Sequence, residues 1–243
     1  GQPTAAPAAI IVGGHDDRRR LQANINHATD QAYRAFLSTG FSAERIYYLS
    51  PDLVEGRDAE TTSANLQRAI VEWAAGKVGA GATLYLYLVD HGGYDLFITH
   101  GSADRTTVAQ LDAWLGALDA ASGLHRIVVI LEACQSGSFI DPAATIARPG
   151  RVVVTSTGPY QNAYPSTHGA YFSDAFLTAL ADSQDICTSF ERARAAVYAT
   201  GLEQTPWLDA DGDAAPNEVV DCEGVRSAGL ASTFADQPPV IDR

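Results

Sequence analysis

Short apolar runs alternate along the chain with longer stretches of helical period. Residues 9–12, 45–49, 83–89, 127–131 and 152–155 are rich in Val, Ile, Leu and Tyr, which predicts five strands. Between them, 25–37 carries a helical stripe ending at Gly40, and Ser63 is placed to cap a helix with Leu66, Ile70 and Trp73 on one face. Further helices are expected over 108–118, with Leu111, Leu115 and Leu118 on one side, and over 171–181 and 190–199. The third to fifth strands are apolar almost without interruption, as parallel strands covered on both faces are. The β-α-β-α order predicts an α/β fold, a three-layer αβα sandwich with a mostly parallel central sheet. Residues 1–8 read as a tail or linker, 9–205 as one domain, and 206–243 as an acidic loop and tail packed on or trailing it.

With 243 residues, 46% of them hydrophobic and 19% charged, the chain can bury one sizeable core. Sixteen basic against 29 acidic residues give a formal charge of −13, which disfavours nucleic acid and anionic membranes as partners. Arg18-Arg19-Arg20 lacks aromatic neighbours and reads as a solvated loop or a site rim. No apolar run reaches the ~20 residues of a membrane span, so no insertion is expected. No charged segment precedes an apolar one, so any secretion signal is expected to be absent or already removed. Cys187 and Cys222 are open to two readings, a bridge closing a loop of about 35 residues or two independent thiols. A bridge would imply an oxidising compartment, hence a secreted, periplasmic or cell-surface protein.

In open α/β sheets ligands bind beyond the carboxyl ends of the strands. The third predicted strand is followed by Asp90-His91-Gly92-Gly93, and the fourth by Glu132-Ala133-Cys134-Gln135-Ser136-Gly137. Neighbouring strands would set His91 and Cys134 side by side. A thiolate is a strong nucleophile, and an imidazole titrates near enough to neutrality to protonate a departing amine. Gly92, lacking Cβ, would let a backbone N–H approach the substrate and form an oxyanion hole with the Cys134 N–H. Taken singly, a Cys at a strand end is usually core and a His-Gly usually a turn; their joint placement favours nucleophilic catalysis.

At these residues the sequence resembles the caspase–legumain superfamily, its legumain-like branch in particular. Glu132-Ala-Cys-Gln-Ser-Gly-Ser138 is similar to the legumain nucleophile block, and His91 precedes Cys134 by 43 residues. Asn24-Ile-Asn-His-Ala-Thr-Asp30 looks like the legumain segment Asn-x-Arg-His-x-x-Asp. The resemblance covers residues 9–205 and implies a caspase-like fold and a cysteine endopeptidase acting on peptide or protein substrates. It further implies Cys134 as nucleophile, His91 as acid/base and Asn24 as the group orienting His91, with no cofactor required for the chemistry.

Legumains resemble one another in gripping a P1 Asn with an Arg, a Glu and an Asp. Here Asn26 stands in the Arg place beside His27, Glu132 matches the Glu, and Ala170 or a neighbour replaces the Asp. An acid without its Arg predicts a P1 Arg or Lys, with Asn as the remaining option. Against this stands a Glu132 that is simply buried and bonded to backbone. Ser156-Thr157-Gly158 resembles the segment whose backbone pairs with substrate in this superfamily. Asp16 and Asp17 read as a pocket rim or as solvated loop. An amine in place of water at the thioester would make the same residues a transamidase or ligase. A recognition module without catalysis, stabilised by calcium, is the alternative of another class. With a basic P1, Arg148 and Arg151 become candidate self-cleavage sites.

Asp209-Ala-Asp-Gly-Asp213, followed by Asn217-Glu218, is a cluster of oxygen ligands at calcium-like spacing. It departs from the EF-hand because Gly212 falls at position four and Ala214 at position six. A non-EF calcium loop through Asp209, Asp211, Asp213, Asn217 and Glu218 is preferred to a plain acidic turn, the ion being structural or activating. The six His and three Cys show no zinc-ligand spacing.

Overall fold

The computed structural model describes residues 3–226 except His125 and Gln184. Its centre is a six-stranded sheet ordered β2-β1-β3-β7-β8-β9. Those strands are β1 (Ala8–Gly13), β2 (Ile46–Leu49), β3 (Thr83–Val89), β7 (Arg126–Glu132), β8 (Arg151–Thr155) and β9 (Trp207–Asp209). All pairs are parallel except β8 with β9. A small antiparallel sheet, β4 (Gly92–Gly93), β5 (Leu96–His100) and β6 (Asp104–Thr107), stands after β3. The hairpin-like segment expected near 94–99 is part of it.

The strands are apolar throughout because each faces a helical layer on both sides. Ile11, Tyr85, Tyr87, Val128, Ile130, Val152 and Val154 pack towards one layer, while Ile10, Val12, Leu84, Leu86, Leu88, Val129 and Val153 pack towards the other. This is the period-two alternation of a strand, with both faces buried. The first layer holds α1 (Gln22–Ser38), α5 (Tyr171–Ser183), α6 (Ile186–Ala199) and α7 (Val219–Arg226), and the second holds α2 (Ser63–Arg68) and α4 (Val108–Ser122). After α2 the helix loosens to i→i+5 bonding over Ala69–Ala74 and ends in α3 (Ala75–Lys77). The cap of α2 is Thr62, not Ser63: its side chain accepts the Asn65 N–H at 3.1 Å. For α4, Thr107 and Gln110 form a capping box, and Gly123 closes the helix at φ +61°.

The acidic segment adds an element that its composition does not announce. β9 pairs Trp207 with Thr155 and Asp209 with Val153, extending the sheet beyond residue 206. At the other end, Thr4 exchanges backbone bonds with Lys77 and Gly79, which ties the start of the described chain to the end of α3. Cys187 of α6 and Cys222 of α7 are bridged, with Cα atoms 5.1 Å apart and a sequence separation of 35. In the chain-entropy view, closing such a loop contributes roughly 3–4 kcal/mol. Residues after 226, where the Ser/Ala/Gly/Pro-rich tail was expected, lie outside the described residues.

The self-cleavage expectation at Arg151 does not hold. Arg151 opens β8 and is 3% exposed, and its guanidinium is held by Asp112 and Asp119. Arg148 is exposed but also pairs with Asp112, at 2.7 Å.

Candidate active site

β3 and β7 run in register up to the pair Val89 and Glu132. His91 and Cys134 each stand two residues beyond that pair, so both leave the sheet at the same edge. They line one cleft of about 60 Å³, together with Asn24, Val89, Glu132 and the loop 163–170. Two glycines make the close approach possible. A Cβ on Gly92 would lie 2.5 Å from the Cys134 carbonyl oxygen, and one on Gly137 would lie 2.6 Å from the Gly158 backbone. Either substitution would therefore push the Cys134 loop away from its neighbours.

The turn around the thiol is tightly specified. Gln135 adopts the left-handed conformation at φ +58°, and its N–H donates to the Gln161 carbonyl at 2.8 Å. The Cys134 thiol faces the Ala163 carbonyl at 3.9 Å. Burial pushes this thiol above its ordinary pKa, and the Glu132 charge adds to the effect. A thiolate here needs a neighbouring base or cation.

Glu132 lies at the bottom of the cleft and is 2% exposed. Its Oε2 accepts the Ser173 N–H at 3.0 Å and the Ser173 hydroxyl at 2.8 Å, while its Oε1 has no hydrogen-bond partner among the described residues. Burial pushes the carboxyl up to about 7, although the two Ser173 bonds and the nearby Ser156 hydroxyl, which makes no hydrogen bond to Oε1, oppose the shift. Ser173 carried no signal in the sequence. It is legible only once α5 is packed against the end of β7.

The His91 ring is half-exposed, and its Nε2 lies 3.7 Å from Asp16 Oδ1. Asp16, in the loop after β1, is buried. Burial alone would raise its pKa, but the amides of Leu21, Arg18 and Arg20, together with His91, outweigh burial and hold it below the ordinary value. Asp90 differs. Burial, with the charges of Asp16 and Asp17, pushes it up to about 8 against the bond it accepts from the His91 N–H. Asp17 points away, accepting the Ser102 N–H at 2.8 Å.

Several expected site residues are placed differently. Asn24 lines the cleft, but its amide donates to the carbonyls of Ser166 and Gly169 at 3.2 and 2.9 Å, pinning the 163–170 loop. Asn26 is turned by the helix away from the cleft, and its amide donates to Asp52 at 2.7 Å. His27 also lies outside the cleft lining, its ring 6.0 Å from that of His168. Ala170, as expected, lines the cleft.

The expectation that Ser156 and Thr157 offer an edge to substrate does not hold, because both are fully buried. The Ser156 N–H and C=O are taken by Leu131 and Gln204, and those of Thr157 by the hydroxyls of Ser136 and Thr155. Their side chains brace the thiol turn: Ser156 Oγ accepts the Ala133 N–H, and Thr157 Oγ1 accepts the Ser136 N–H.

The acidic loop lies apart from this cleft, at the end of β9. Asp209 accepts the N–H groups of Gly212 and Ala214, and Asp221 those of Ala210 and Glu218. Asn217 is spent on the loop itself, accepting from Leu208 and donating to Pro206. Carboxylate oxygens still gather within 4.8 Å of one another in two sets: Asp209, Asp211 and Asp221, and Asp211, Asp213 and Glu218. Asp221 was absent from the expected ligand set.

A thiol and an imidazole at adjoining strand ends of a parallel sheet, with helices on both faces, define the caspase-fold cysteine peptidases. The chain belongs to the Peptidase C13 family, whose model matches residues 77–211 and so spans both His91 and Cys134. It is accordingly a cysteine peptidase, a hydrolase acting on peptides or proteins. The fold is similar to the crystal structure of caspase-1 from Spodoptera frugiperda. The TM-score is 0.61 at 16% identity, over 87% of this chain and 89% of that one. No curated protein matches the sequence. The caspase–legumain resemblance is thereby established, and a module without catalysis is set aside. Among the described residues no helix is long and apolar enough to cross a membrane.

Proposed function

We propose that the chain is an endopeptidase whose Cys134 thiolate attacks the scissile carbonyl carbon. His91 gives its proton to the departing amine nitrogen, leaving a thioester on Cys134. It then takes a proton from water, whose oxygen displaces the thiolate. The N–H groups of Gly92 and Cys134 receive the oxyanion. The P1 side chain enters the cleft above Glu132, and the unpartnered Oε1 carries the specificity reading. A buried carboxylate oxygen without a partner costs on the order of 1–3 kcal/mol, which an arginine or lysine tip would recover. Among the described residues no arginine or lysine lines the cleft to neutralise it.

Fluorogenic peptides with P1 Arg, Lys, Asn and Asp test this reading. Turnover of Arg or Lys is expected to exceed that of Asn and Asp by about tenfold or more, since 1.4 kcal/mol is a factor of ten. Preferred cleavage after Asn would overturn it.

The 209–221 loop supports a structural calcium ion. Burial raises the pKa values of Asp209 and Asp221, helped by the charges of Asp221 and Asp211 on Asp209 and of Asp211 and Asp213 on Asp221, and a divalent cation would relieve that repulsion. Calcium is expected to raise the melting temperature and EDTA to reverse the rise, with both effects lost in Asp211→Asn. An unchanged melting curve would remove the ion from the account.

A further inference from the structure

The His91 ring has no hydrogen bond to another side chain among the described residues, yet a carboxylate lies within ion-pair distance of it, Asp16 Oδ1 at 3.7 Å. The expected orienting residue, Asn24, has given its amide to Ser166 and Gly169. Asp16 is 5% exposed and fixed on every side. Its Oδ1 accepts the Arg18 N–H at 2.9 Å, its Oδ2 accepts the Leu21 N–H at 2.8 Å, and its own N–H donates to Gln22 at 3.0 Å. Gln22, 2% exposed, is in turn anchored to the Gly14 carbonyl.

The spacing between Asp16 and His91 is also built in. The hairpin strand β5 donates the Ile98 N–H to the His91 carbonyl and accepts the His15 N–H at Thr99. One strand therefore holds both the loop that carries Asp16 and the residue that carries the imidazole. Burial disfavours a charge on the nearby Asp90, and the carboxylate within ion-pair distance of the ring is that of Asp16.

We propose that Asp16 is the positioning residue for His91, holding the ring towards Cys134 and stabilising the imidazolium that forms when the thiol gives up its proton. The structure thus offers a Cys134, His91 and Asp16 relay in which a carboxylate from the loop after β1 stands where an amide was expected. This inference rests on the Cys134 and His91 reading above.

A double-mutant cycle separates the two. The alkylation rate of Cys134 by iodoacetamide at pH 6 is measured together with peptide kcat and KM. The proteins are the native chain, Asp16→Asn, His91→Ala and the double variant. In the native background Asp16→Asn is expected to lower alkylation and kcat by about 10- to 100-fold, with KM within about twofold. In the His91→Ala background the same change is expected to cost less than about twofold, because Asp16 acts through the ring. Equal losses in both backgrounds would reduce Asp16 to a structural loop residue and overturn the inference. No loss in the native background, with a large loss in His91→Ala, would overturn the inference alone. Unchanged alkylation and kcat in His91→Ala would overturn the dyad reading with it. If Asp16→Asn melts early, Asp16→Ser takes its place, since a hydroxyl can still accept a loop amide.

Discussion

Cys134→Ala is expected to lower peptide turnover by roughly 10⁶-fold while leaving the melting temperature unchanged. The two halves of this expectation have separate grounds. The thiol is the one free sulfur, and it sits at the sheet edge where its hydrogen-bond contact among the described residues is a weak one, to the Ala163 carbonyl. Removing it opens no core cavity and breaks no strong bond. The loop around it is held by other atoms: the Gln135 N–H on Gln161, the Ser136 N–H on Thr157, and the close approach of Gly137 to Gly158. The chemistry, by contrast, has no substitute nucleophile. Burial raises the thiol pKa, and in the proposed Cys134 and His91 dyad His91→Ala is expected to cost about 10²–10⁴-fold. Intact turnover in Cys134→Ala would sink the assignment. A melting temperature lowered along with the activity would leave the loss ascribed to the fold.

How much of this was legible in the sequence follows from the range of the forces involved. Strand β3 was read at 83–89, as found, and β1, β7 and β8 to within a residue or two. Continuous apolar runs can be satisfied only between two layers, so composition and position carry the same message there. β9 was missed because its three residues owe their strand geometry to β8, a partner 52 to 56 positions earlier. α7 was missed because it has little apolar face of its own. Among its described side chains Val225 is buried, and a disulfide docks the helix to α6.

The site divides in the same way. Cys134, His91 and Glu132 were legible because each stands within two residues of a strand whose end is fixed by the apolar pattern. The residues on α1 were not, because what matters there is helix phase. From a start at Gln22, positions 24, 25, 28 and 32 turn inward, while Asn26 turns towards Asp52. A motif spacing copied along the chain does not contain that phase. Asp16 was noticed as an acid near the edge, but its contact with His91 depends on the amides of Arg18 and Leu21 folding the loop back. Ser156 and Thr157 look like an exposed edge after β8. They are buried because Gln204, from a distant turn, covers the Ser156 carbonyl.

Glu132→Gln is expected to lower kcat/KM for P1 Arg and Lys by about 10²–10³-fold while changing that for P1 Asn by less than tenfold. The glutamine carbonyl can keep both bonds from Ser173, so its NH₂ takes the place of the unpartnered Oε1, the atom offered to P1 in the proposed reading. A donor there repels a cationic tip and suits an amide carbonyl. The native pocket should also show pH dependence of its own. With the carboxyl pushed up to about 7, a cationic P1 gains its partner only as the pH rises through that value, and the glutamine variant should lose this limb. Stability should move the opposite way. An acid whose folded pKa is raised binds its proton more tightly when folded. Its contribution is therefore complete below the unfolded value of 4.5 and is lost as the pH rises to about 7. That loss is on the order of 3 kcal/mol, at about 1.4 kcal/mol per unit. At pH 8 Glu132→Gln should therefore melt above the native protein while cleaving basic substrates far more slowly. Equal losses on Arg and Asn substrates, or a variant that melts lower at pH 8, would make Glu132 a scaffold for Ser173 and leave P1 selection to other groups of the cleft.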